Sequence, residues 1–219
     1  MAANAREVIE GLREEIRRLE RRASSPTFFV PSGRPEVDAL LPGGGFPRGA
    51  VTELSGSPAS GKTELALRAL AAAMGEEGLA AYVDGRGELY PPAVATLGVD
   101  LARLLVVRPK GSDGQTGEGE VAQGLWAAEL LLASGAFEGV VVDVPVGRAR
   151  PPARVRLDAV LRRLRAAAER GGAVALWLGA PEGVPGPVAV RLELSAGATG
   201  SRVQRAFARE PAAGAPHAA

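Results

Sequence analysis

The sequence predicts an α/β domain, with a mostly parallel central sheet flanked by helices. Three observations carry that expectation. Short runs that are apolar throughout recur along the chain with helical patterns between them, as strands buried on both faces require. A complete G-x-x-x-x-G-K-[ST] stretch, Gly56-Ser57-Pro58-Ala59-Ser60-Gly61-Lys62-Thr63, stands between one such run and the next helical pattern. A later run, Gly139–Val144, carries an aspartate near its carboxyl end, Asp143.

In chain order, residues 6–22 predict a helix, because Ile9, Leu12, Ile16 and Leu19 recur three, four and three residues apart. Glu14 precedes Arg18 by four, the favourable order on an exposed face. Ser24-Ser25-Pro26 ends this helix, Thr27–Pro31 reads as extended chain, and Pro42-Gly43-Gly44-Gly45 as a loop. Strand and helix then alternate: strand Ala50–Leu54, helix Lys62–Met74, strand Leu79–Asp84, helix Pro91–Leu97, strand Leu104–Arg108, helix Val121–Ala133. Strand Gly139–Val144, helix Ala153–Glu169 and strand Ala173–Gly179 come next. Two last runs, Val188–Leu194 and Arg202–Phe207, are expected side by side in the sheet. Trp126 and Trp177 fall in apolar patterns and are expected in the core, while Val155, Ala159, Leu161 and Leu164 are expected to turn one helix toward the sheet. The organisation is therefore an arm over 1–26, a core over 27–209 and a tail over 210–219 whose Pro/Ala/Gly composition predicts no order.

A chain of 219 residues, 46% hydrophobic, suffices for one such domain with an arm and a tail. The absence of cysteine excludes disulfides and thiolate metal sites. No apolar run reaches bilayer-spanning length and the charged N-terminus has no apolar signal core, so a cytoplasmic protein without a membrane partner is expected. The net charge of +1 is too small to make the whole surface a polyanion binder. Only Lys62 and Lys110 of the 26 basic residues are lysines, so arginine abundance alone has no functional weight. Clustering does: eight arginines lie between Arg148 and Arg170 against Asp158 and Glu169. His217, alone in the tail, makes no case for metal or catalysis.

The Gly56–Thr63 stretch has a physical reading. Its glycines let successive N–H groups turn toward phosphate oxygens, and the helix after it adds its positive end. Lys62 would reach the outer phosphates of ATP or ADP, and Thr63 would offer a hydroxyl to Mg²⁺. Asp143, at the end of its strand, is the expected holder of the metal's water shell.

The residues also carry a resemblance. Leu41-Pro42-Gly43-Gly44-Gly45-Phe46-Pro47-Arg48-Gly49, then Val51-Thr52-Glu53-Leu54 and the phosphate loop, resembles the opening of a bacterial RecA recombinase core. Ala81-Tyr82-Val83-Asp84 and Leu97-Gly98-Val99-Asp100 are similar to the next part of that core. The likeness runs over roughly Val30–Phe207, strong to about Leu105 and mostly a strand pattern after Asp143. It implies a RecA-like fold, and it also exposes departures. The family's catalytic glutamate falls on Arg86, which cannot act as a base, leaving Glu88 as the candidate replacement. The adenine-stacking tyrosine falls on Ala93, with Tyr90 nearby to substitute. The glutamine that couples the γ-phosphate to DNA falls on Ala180. The second DNA loop shrinks to about Pro181–Pro187, and the first becomes the basic stretch Gly147–Arg156. A short RecA-like core of this kind resembles the ImuA family, accessory proteins of bacterial SOS mutagenesis that act with a Y-family-like partner, ImuB. That resemblance implies a role in damage tolerance.

Three readings stay open. The first is a nucleotide-binding accessory protein with little or no hydrolysis, acting on RecA, an ImuB-type partner or DNA. The second is a DNA-stimulated ATPase using Glu88, and the third a nucleotide-sensing signalling ATPase. Arg148, Arg150, Arg154, Arg156 and Arg162 form either a solvated helix face or a surface for DNA or an acidic partner, sequence-blind because no aromatics interleave. Ile9, Leu12, Ile16 and Leu19, with Phe28 and Phe29, form either an arm that docks on a partner or second copy, or one folded on its own core.

Overall fold

The computed structural model describes residues 29–109, 118–146, 156–184, 186–197 and 200–208. The stripe Ile9, Leu12, Ile16 and Leu19, with Phe28, lies outside them, as do Arg148, Arg150, Arg154, Val155 and the tail.

Within them the chain opens with β1 (Phe29–Val30), a short helix α1 (Pro35–Asp38), a 3-10 turn at Pro42–Gly44 and β2 (Phe46–Pro47). Then come β3 (Ala50–Gly56), α2 (Lys62–Met74), β4 (Leu79–Asp84), α3 (Pro91–Thr96), β5 (Leu104–Val107) and α4 (Glu118–Ala133). Next are β6 (Phe137–Asp143), α5 (Leu157–Gly171), β7 (Val174–Gly179), β8 (Val190–Gly197) and β9 (Gly200–Ala208). The main sheet has seven strands in the order β5-β4-β6-β7-β3-β8-β9. All pairings are parallel except β8 with β9. The expected α/β fold with a mostly parallel sheet is present, and the last two strands are neighbours as expected.

The continuous apolar strands now have their reason. Along β7, Val174, Leu176 and Leu178 point into one core with Leu65, Leu70 and Met74 of α2. Ala175 and Trp177 point into the other, with Leu125 and Leu132 of α4 and Leu161 and Leu164 of α5. Side chains alternate across a strand, so a strand covered on both faces, as β7 is, buries apolar residues at successive positions. Each such leucine, fully buried, contributes about 1.5–3 kcal/mol.

Four expectations need correction. Trp126 is not in the core but 62% exposed, with Leu130 beside it at 49%. Helix α4 (EGEVAQGLWAAELLLA) does not confine its apolar residues to one stripe, so periodicity does not choose its inner side. The buried set is Val121, Leu125, Ala128 and Leu132, and Trp126 falls off that line. Helix α5 begins at Leu157 and not at Ala153, and its buried face is Leu157, Val160, Leu161, Leu164, Ala167 and Ala168; Ala159 is only half-buried. Phe29 is not a free strand: Phe29 pairs with Pro47 and Val30 with Phe46 inside the same domain. Its ring lies where a Cβ on Gly43 would stand, and Gly43, at φ +65, supplies the turn that makes room. Finally, β3 runs on to Gly56, into the phosphate loop itself.

Candidate functional site

Parallel strands all deliver their carboxyl ends to one edge of the sheet, where ligands of open α/β folds bind. Here β3 ends in the Gly56–Thr63 loop, and β4 and β6 end in register at Asp84 and Asp143. The loop is built as its sequence requires. Gly61, at φ +88, makes the turn into α2, and a Cβ there would meet Ser201 of β9 at 2.7 Å. Ala59 sits at φ +59, a left-handed conformation that costs a non-glycine residue of order 1–3 kcal/mol and is typical of binding loops. The first N–H of α2 to find a carbonyl four residues back is that of Leu65, on Gly61. Among the described residues no backbone carbonyl takes the N–H groups of Lys62, Thr63 and Glu64, the first-turn donors that make a helix start an anion site. The Ser60 hydroxyl is buried in the loop with no hydrogen-bond partner among the described residues. The Lys62 ammonium donates to the carbonyls of Gly56 and Ser57, both at 3.0 Å. Burial, with the Arg86 cation next in importance, holds Lys62 below the ordinary lysine value of 10.5, while Asp143 and Glu88 oppose the shift. Donors, an orphan hydroxyl and a cation short of counter-charge fit a polyphosphate.

The far side of the site belongs to two aspartates. Asp143 accepts from the Tyr82 hydroxyl at 2.9 Å with one oxygen and from Arg86 Nε at 2.9 Å with the other. Burial, then Asp143, pushes the Tyr82 phenol far above its usual value, so it remains a proton donor. Asp84 accepts from the N–H groups of Glu88 and Leu89 at 3.0 and 3.2 Å and from Arg108 Nε at 2.9 Å. It thereby shapes the loop after β4, and the Gly85 N–H donates to the Asp143 carbonyl at 2.8 Å to seat that loop over the end of β6.

The expected site residues come together in part. Asp143, Arg86 and Glu88 all lie within electrostatic reach of Lys62, and Thr63 follows Lys62 in the first turn of α2. Glu88 is exposed, and the Tyr90 ring, at the start of α3, is 66% exposed. Magnesium fits the donor set less well than phosphate does. Both oxygens of Asp143 already accept hydrogen bonds, one from a cation, and the described residues hold no cluster of three acidic or histidine side chains. Of the expected basic surface, Arg156 is 84% exposed and 4.0 Å from Asp158, which Arg162 contacts at 3.0 Å.

Sequence reasoning missed a second buried group. Glu53 of β3, fully buried, accepts from the Val184 N–H at 2.8 Å and from Arg191 Nε at 2.6 Å. Arg191 Nη2 donates to the Val184 carbonyl at 2.7 Å. Ala180 and the shortened loop after it are thus anchored on their own sheet. A charged residue between Thr52 and Leu54, in a strand the pattern placed inside the sheet, was the available signal.

Against known proteins, the RecA N-terminal domain family matches residues 10–160. The chain belongs to that family. RecA of Lactobacillus delbrueckii subsp. bulgaricus is 38% identical over 128 residues, covering 58% of this chain and 36% of its own. RecA of Kineococcus radiotolerans is 40% identical and that of Corynebacterium urealyticum 41%, each over 128 residues and 58% of this chain, with 34% and 32% of their own lengths covered. The chain therefore spans about a third of the length of the curated relatives it matches. Among the described residues of this RecA relative, no helix is long and apolar enough to cross a membrane.

Proposed function

We propose that this RecA relative is a nucleotide-binding accessory protein of DNA damage tolerance that hydrolyses ATP poorly or not at all. One observation carries the reading: Arg86 stands in the loop after β4, where the family resemblance implies a catalytic glutamate, and is bonded to Asp143. A guanidinium cannot take a proton from water, and this one neutralises the nearest carboxylate. The anchoring of residues 180–184 through Glu53 and Arg191 supports the same reading, because a clamped loop is poorly suited to passing a signal between phosphate and DNA. The ImuA resemblance extends the proposal to SOS mutagenesis in the cytoplasm. The partners are then RecA, an ImuB-type protein, DNA held without sequence preference, or a second copy.

The DNA-stimulated ATPase reading retains one observation, the exposed Glu88 within electrostatic reach of Lys62. Steady-state ATP turnover with and without single-stranded DNA separates the two. We expect turnover far below the ~1–10³ s⁻¹ of ordinary enzymes. DNA-stimulated turnover in that range, abolished by Glu88→Gln, establishes the ATPase instead.

A further inference from the structure

We infer that Arg86, held on Asp143, occupies the position a divalent cation would need, so that the loop binds a nucleoside di- or triphosphate without magnesium. The inference rests on the nucleotide reading of Gly56–Thr63 and deepens it.

The carboxylate comes first. Asp143 is almost wholly buried, and its two oxygens are committed to Arg86 and Tyr82. A metal beside Asp143 would have to share this carboxylate with the guanidinium and sit against its positive charge. Arg86 is also held by its backbone surroundings. The N–H groups on either side of it, of Gly85 and Gly87, donate to the carbonyls of Asp143 and Asp84. Asp84 in turn is tied to Glu88, Leu89 and Arg108.

The remaining donors point to what Arg86 does there. It uses only Nε on Asp143, is about a third exposed at 37%, and its Nη groups make no other hydrogen bond among the described residues. Guanidinium presents a planar fork of donors that suits phosphate oxygens. Lys62 and Arg86 lie close enough to repel each other, although Asp143 and Glu88 offset part of that repulsion. In charge terms Arg86 cancels Asp143, as a bound metal would in part, and leaves the Lys62 charge for the phosphates.

Titration calorimetry of the full chain with ATP, in excess EDTA and in excess MgCl₂, tests this on wild type, Arg86→Ala and Arg86→Gln, with thermal melts confirming that the variants fold. Wild type is expected to bind in EDTA within about threefold of its affinity in magnesium. Either variant, with Asp143 freed, is expected to bind at least tenfold more weakly in EDTA than in magnesium. Wild-type binding that requires magnesium overturns this inference and leaves the nucleotide reading intact. Variants that keep wild-type affinity in EDTA overturn it equally. No heat in either buffer overturns both.

Discussion

Arg191 on β8 donates from Nε to Glu53 on the neighbouring strand β3 at 2.6 Å, and the Glu53 carboxylate is fully buried. The other Glu53 oxygen takes the Val184 N–H, so one acid joins two strands and the loop after β7. A buried carboxylate is tolerated only while paired and hydrogen-bonded.

Arg191→Met is therefore expected to destabilise the fold by about 3 kcal/mol, because it strands the Glu53 charge. The double variant Glu53→Gln/Arg191→Met removes that charge and is expected to recover part of the loss. Chemical denaturation checks both. A single variant as stable as wild type would show that the pair contributes nothing.

Lys62→Ala is expected to weaken ATP binding at least tenfold, about 1.4 kcal/mol. The pH dependence comes from the depressed Lys62 value. With the loop free, the unfolded chain binds more protons than the folded one between that value and 10.5, so folding stability rises with pH across that window. A bound phosphate favours the ammonium, so affinity is expected to be flat near neutrality and to fall as pH climbs through the depressed value. Calorimetry across pH measures this; an unchanged affinity in Lys62→Ala removes the loop from nucleotide binding.

The two tryptophans are expected to differ in solvent access. Trp177 is buried and Trp126 is 62% exposed, so acrylamide should quench one component of the emission and spare the other. Trp126→Phe should leave a blue-shifted, poorly quenched spectrum. Equal shielding of both would contradict the outward position of Trp126 on α4.

Any DNA binding through the arginines is expected to be sequence-blind and to fall steeply with salt, as counterion release requires. Arg154→Glu, Arg156→Glu and Arg162→Glu together should abolish it. Along α5 the basic face is less bare than its sequence, since Arg163 meets Glu129 of α4 at 2.9 Å and Arg165 meets Glu169 at 2.8 Å. Fluorescence anisotropy at two salt concentrations decides: binding retained by the triple variant moves the surface elsewhere.

Local pattern determined much of this protein. The unbroken apolar runs foretold strands covered on both faces, and β4 and α2 fall on Leu79–Asp84 and Lys62–Met74 as expected. The loop from Gly56 to Thr63 was legible because its residue types, order and flanks are all set within one strand–turn–helix unit. Tertiary structure decided what depends on residues far apart in the chain. Asp143 meets Arg86 57 residues away, Glu53 meets Arg191 138 away, and Glu129 meets Arg163 34 away. Which face of α4 is buried was likewise settled by the sheet beneath it, since its apolar residues are not confined to one side. Periodicity reports neighbours within a few residues, whereas a parallel sheet places distant strand ends side by side, and the chemistry of this site lies at those ends.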